Sequence, residues 1–157
     1  MGTMKVEYAQ GLDGPKVIMI ILFFIILWCI INYLSSKKSG WNEIAIIFGL
    51  KNENIKNIKW FEVIEAWTEN CYFYGGLLYF AIRDKNILLK VMPLFSIGYQ
   101  KLSIPLQHIE YKEWNSIFGI RYYIITFKSI EHLKLKIHKS VIWKSGLASR
   151  LGMVKGK

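Results

Sequence analysis

One stretch decides most of what this chain can be. Residues 17–34 read VIMIILFFIILWCIINYL, 18 residues with no charge and with Asn32 as the one polar side chain. As a helix rising ~1.5 Å per residue the run covers roughly 27 Å, close to the hydrocarbon thickness of a bilayer. A helix of this length on a soluble domain would carry a polar stripe, and none is present. Pro15 stands just before the run, where a missing backbone N–H does no harm. Trp28 and Tyr33 lie towards its downstream end, the level favoured by interfacial aromatics. A cleaved signal peptide would pair a basic leader with a shorter apolar core and a small-residue site. Here the leader is neutral, the core is long and bulky, and Val6 stands where a myristoylation signal needs Ser or Thr. The expected element is an uncleaved membrane anchor carried by Val17, Ile21, Phe24, Leu27, Trp28 and Leu34.

The charge lies elsewhere. The chain has 21 Lys and Arg against 11 Asp and Glu, a formal net charge of +10. The tail 1–16 balances Lys5 and Lys16 with Glu7 and Asp13, so the whole excess falls after the span, where Lys37 and Lys38 follow at once. Basic residues close to a span favour the cytoplasmic side, which places the downstream part in the cytoplasm and the tail outside. The 53% apolar content excludes a disordered chain, and the 20% charged residues argue against a multi-span channel. Cys29 falls in the span and Cys71 beyond it, so no disulfide framework is expected.

Beyond the span, residues 35–58 read as a polar linker (SSKKSG) and a short amphipathic helix. Trp41, Ile44, Ala45 and Phe48 share one face of that helix, and Gly49 ends it. Residues 59–152 then read mainly as strands: 60–67, 70–74, 77–83, 87–92, 101–104, 108–114, 120–128 and 131–138, with turns at Gly75-Gly76 and Asp84-Lys85-Asn86. The last strand is the clearest. Leu133, Leu135 and Ile137 alternate with His132, Lys134, Lys136 and His138, which sets an apolar face against a basic one. A terminal helix over 139–151 follows, weakened by Gly146, and 153–157 reads as a basic tail. The whole is one N-terminal transmembrane helix plus a mainly-β (α+β) domain of about seven strands with a C-terminal helix.

At this point a resemblance comes into view. Leu78-Tyr79-Phe80-Ala81-Ile82, Ile87-Leu88-Leu89 and Leu102-Ser103-Ile104-Pro105-Leu106-Gln107-His108-Ile109 resemble the hairpin and following strands of bacterial pleckstrin-homology-like and GRAM-like domains. Trp41-Asn42-Glu43-Ile44-Ala45, with Met92-Pro93-Leu94-Phe95 and Ile104-Pro105-Leu106, is similar to an uncharacterised family of small, single-span bacterial membrane proteins. The resemblance covers roughly residues 40–115. It implies a seven-stranded half-barrel closed by a C-terminal helix, sited at the bacterial inner membrane, and it implies no catalysis. Phosphoinositide-binding relatives use a basic first hairpin, whereas this chain has Glu62, Glu65 and Glu69 there.

Chemistry-bearing patterns are sparse. His132 and His138 are six residues apart on one strand, roughly 20 Å, so they cannot share a metal ion. No nucleophile has a base at a recognisable spacing, and no glycine-rich phosphate loop is present. No enzyme activity, metal or cofactor is therefore expected. The strongest remaining signal is basic. From Lys134 to the end seven cations occur with no acid, which makes Lys134, Lys136, Lys139, Lys144 and Arg150 a candidate surface for anionic lipid or a partner. Trp114, Phe118, Tyr122 and Tyr123 cluster around a turn, and any exposed subset would form a protein-binding patch.

The expected function is a non-catalytic binding or scaffolding module tethered to the cytoplasmic face of the inner membrane. Its partners would be the bilayer and a protein or a second copy, with nucleic acid not expected. The alternatives are an immunity-type or regulatory protein that neutralises a protein at the membrane, and a sensor of anionic lipid.

Overall fold

The computed structural model describes residues 14–50, 57–68, 71–116, 118–128 and 130–153. The tail 1–13, most of the Asn-rich loop and residues 154–157 lie outside the described residues. The chain divides into two compact units, one ending at Ile31 and one beginning at Asn32.

The first unit is the body of helix α1, Gly14–Lys38. Nearly every apolar side chain from Val17 to Ile31 is exposed, so the helix has no buried face there. It is long and apolar enough to cross a membrane. The anchor residues Val17, Ile21, Phe24, Leu27 and Trp28 lie on it, and Leu34 is exposed on its last turns in the second unit. The polar linker expected from residue 35 starts later. Ser35 to Lys38 continue the helix, and the Ser36 hydroxyl, instead of pulling the backbone into a turn, donates back to the Tyr33 carbonyl at 2.8 Å within the last turns. Gly40, at φ +74°, then breaks the chain into helix α2, Trp41–Phe48. Helix α2 buries Trp41, Ile44 and Ala45, as its periodicity requires.

The second unit is built on two antiparallel sheets. The first runs β1 (Phe61–Glu62), β4 (Leu78–Arg83), β5 (Asn86–Val91) and β6 (Leu102–Pro105). The second runs β3 (Tyr72–Tyr74), β2 (Glu65–Trp67), β9 (Ile130–His138), β8 (Arg121–Phe127) and β7 (Ile109–Asn115). The expected strand 60–67 is thus divided at Val63-Ile64. Its first half pairs with β4 and its second half with β9, so one short run serves both sheets. Backbone bonds continue through the break, from Val63 N to the Leu78 carbonyl and from Ile64 N to the Lys136 carbonyl. Gly75-Gly76 makes the matching corner between β3 and β4.

The core lies between the sheets. It takes Phe80, Ile87, Leu89, Leu102 and Ile104 from the first sheet and Ala66, Phe73, Ile125, Phe127, Leu133, Leu135 and Ile137 from the second. The terminal helix is in two pieces, α3 (Lys139–Lys144) and α4 (Leu147–Arg150), because Gly146 adopts φ +77° between them. Ile142, Leu147 and Ala148 enter the core from these pieces. Met153, expected in the basic tail, is buried with them, and its amide donates to the Ala148 carbonyl at 2.9 Å.

Candidate binding surfaces

The outward face of the second sheet follows from strand alternation. Leu133, Leu135 and Ile137 point inward, so His132, Lys134, Lys136 and His138 point out. The register sets Lys136 opposite Ile124 on one side and Glu65 on the other. Lys136 Nζ donates to both carboxylate oxygens of Glu65 at 3.1 Å, and lies 4.7 Å above the Trp114 ring and 5.0 Å above the Tyr122 ring. The two charged side chains are only 16% and 17% exposed. Lys136 is therefore a neutralised cation under an aromatic cover.

The other basic residues of the candidate surface differ in their surroundings. Lys139 Nζ is bonded to Glu113 at 3.1 Å. The Arg150 guanidinium donates to the Asp84 carbonyl in the β4–β5 turn, beside a shallow groove lined by Asn86, Pro105, Leu106 and Gln107. Lys134 and Lys144 stay exposed, one on β9 and one on α3. Pairing was invisible in the sequence, since Glu65 is 71 residues from its lysine.

The β7–β8 hairpin carries the more unusual surface. β7 pairs with β8 over its whole length, and among the described residues no strand pairs with its other edge. The Lys128 amide donates to the His108 carbonyl and the Ser116 amide to the Ile120 carbonyl. By antiparallel alternation the even-numbered β7 residues bond inward, and Tyr111 and Glu113 turn their backbone N–H and C=O to the open edge. Only Ile109 of this strand is buried. At the hairpin tip the Ser116 hydroxyl accepts the Ile120 amide at 3.2 Å, and Gly119 turns at φ +71°. Phe118 stands on this tip 90% exposed, with Tyr111, Trp114 and Ile120 also exposed. Of the aromatic cluster flagged in sequence, Tyr123 is core and Tyr122 half-buried, while Trp114 and Phe118 form the exposed subset. Tyr111 and Ile120 were not singled out. The available signal was the segment Glu110 to Glu113, which has no apolar face and so reads as an edge.

A third cluster packs the head of α2 against β3 and the segment before β6. Trp41 is fully buried, donates Nε1–H to the Gln100 carbonyl at 2.8 Å, and meets Phe73 and Tyr99 edge to face. Burial raises the Cys71 thiol above its ordinary value, and burial together with the neighbouring Cys71 raises the Tyr99 hydroxyl. Burial, with a smaller contribution from Lys101, lowers the Lys90 ammonium, which lies 4.1 Å over the Trp60 ring. Among the described residues no three His, Cys, Asp or Glu side chains come together in a way that could hold a metal ion. Comparison with protein-family models, with curated proteins and with solved structures finds no match for this chain.

Proposed function

We propose that this chain is a membrane-tethered, non-catalytic binding module that takes an extended segment of a protein partner along the open edge of β7. The observation that carries the reading is the β7–β8 hairpin. It combines a row of outward-facing backbone groups at Tyr111 and Glu113 with an apolar grip from Trp114, Phe118 and Ile120. An added strand would gain affinity from the backbone bonds and selectivity from the side chains beside them. Monomeric soluble surfaces seldom leave a phenylalanine so exposed beside other large apolar groups.

The rest of the reading is consistent with this. Counting β1 with β2 and β3 with β4 leaves seven strands, the first paired with the last and helices following it, the arrangement expected of a pleckstrin-homology-like half-barrel. Lys37 and Lys38 at the end of α1 favour a cytoplasmic domain on the inner membrane. The anionic-lipid reading of the basic residues is the weaker one, because Lys136 and Lys139 are already paired.

Placing a photo-crosslinking amino acid at Phe118 in native membranes tests the proposal. A discrete protein adduct from position 118, absent when the same group replaces Lys144, is the expected result. Equal labelling from both positions, or adducts with lipid alone, would overturn it.

A further inference from the structure

The large apolar side chains left outside on the second unit include a group on elements other than the hairpin. Ile46 and Ile47 on α2 are 85% and 68% exposed, and Leu94 in the Pro93–Phe95 turn is 61% exposed, with Ile97 close behind. Both segments converge on residues 98–102. Trp41, at the head of α2, is bonded to Gln100 and packed on Tyr99, and Gly49, at its end, bridges to Leu102. Gly98 lies against the last turns of α1. A Cβ added there would collide with the Ser36 hydroxyl and lie 3.4 Å from the Tyr33 ring.

That contact fixes a level. The stretch Tyr33 to Lys38 is where the apolar run gives way to Ser35, Ser36, Lys37 and Lys38, and Lys37 Nζ folds back over the Tyr33 ring at 4.8 Å. In a spanning helix such a boundary lies in the headgroup zone, which is about 5–8 Å deep on each side. Backbone touching Ser36 and Tyr33 is at the same level. Exposed apolar side chains on that backbone would then meet lipid, and Lys38 and Lys101, each exposed on the same segments, suit anionic headgroups.

We propose that residues 93–98 and the outer face of α2 rest on the bilayer that carries α1, with Leu94 and Ile97 at the boundary between headgroups and acyl chains. The bilayer is the occupant because the patch borders the point where the chain leaves its apolar helix. Binding of this kind holds a domain in the interface plane through a few apolar side chains. It would leave the β7 edge as a separate docking surface. The inference rests on α1 spanning the membrane, and the test keeps the two apart.

A fluorescent, environment-sensitive amino acid is introduced into the full chain in lipid nanodiscs, one position at a time, at Phe24, Ile46, Leu94, Ile97 and Lys144. Lipids carrying a nitroxide near the headgroup serve as quenchers, and lipids with a deep nitroxide report on Phe24. The proposal expects blue-shifted emission and loss of intensity to the shallow quencher at 46, 94 and 97, and water-like, unquenched emission at 144. Water-like emission at 94 and 97 while 24 is quenched overturns the seat but leaves the span. Blue-shifted emission at 94 and 97 without quenching assigns the patch to a second copy and also overturns it. A Phe24 signal that the deep quencher leaves intact overturns the span, and the seat with it.

Discussion

Trp41 shows how one side chain can hold an interface together. It fills the gap between α2 and the segment before β6, and its indole N–H satisfies the Gln100 carbonyl. Trp41→Phe is expected to lower stability by about 1–3 kcal/mol, since it strands that carbonyl. Trp41→Ala should lose about 3–5 kcal/mol by opening a cavity. Chemical unfolding of the full chain in nanodiscs measures both. Gly98 is needed twice over, for its φ of +83° and for its approach to Ser36. Gly98→Ala should therefore cost more than Gly146→Ala, which shares the left-handed backbone at φ +77° but meets nothing within 4 Å. The common part is about 1–2 kcal/mol, and the excess at Gly98 reports the contact. The raised Cys71 and Tyr99 groups predict alkaline sensitivity. Their stabilising contribution is fully present below the ordinary thiol value of 9.0 and phenol value of 10.0, and is lost as pH rises through the higher folded values. Melting temperature should fall as pH climbs above 9.0, and the slope should flatten in a Cys71→Ala, Tyr99→Phe double variant. Lys90 works in the opposite sense, because a lowered lysine becomes easier to bury as it loses its proton, so only the difference between variants isolates the pair.

Elements differed in how legible they were. β9 could be read directly, because Leu133, Leu135 and Ile137 alternate with polar residues and the structure buries that set. The inward face of α2 was equally plain from Trp41, Ile44 and Ala45. The split of the first strand was not, because Val63 and Ile64 are good strand residues. The break comes from the strand serving two sheets, which is a tertiary demand. The extra turn of α1 over Ser35 to Lys38 was hidden for a different reason. Serine is a weak helix former on its own, and here its hydroxyl bonds within the turn while Gly98 packs on it. The Glu65–Lys136 pair belongs to this scale too, since it ties β2 to β9 under Trp114 and Tyr122. A double-mutant cycle of Glu65→Gln and Lys136→Met is expected to give a coupling of about 1–2 kcal/mol. A value near zero would mean that the aromatic cover alone holds the lysine.

At the scale of the molecule, apolar features lie outside the core of the β domain, and besides the patch on α2 and residues 93–98 two of them bear on function. One is the helix long enough to cross a bilayer, and the other is the hairpin that ends in Phe118. The first was legible as a helix, since residues 17–34 hold 18 uncharged residues in a row, long and apolar enough to cross a membrane. The second was half legible. The sequence marks Trp114 and Phe118 as clustered, but the other edge becomes available only because β7, among the described residues, pairs with β8 and with no second strand. The proposed docking requires this edge to be open in the isolated chain and covered when the chain is at work. Hydrogen exchange at single-residue resolution tests it, comparing the purified chain in nanodiscs with the chain isolated from native membranes together with whatever it binds. Fast exchange at the Tyr111 and Glu113 amides and slow exchange at Lys112 and Trp114 are expected in nanodiscs, with Tyr111 and Glu113 becoming protected in the native complex. Uniformly slow exchange along β7 in nanodiscs, or unchanged fast exchange in the native complex, would contradict it.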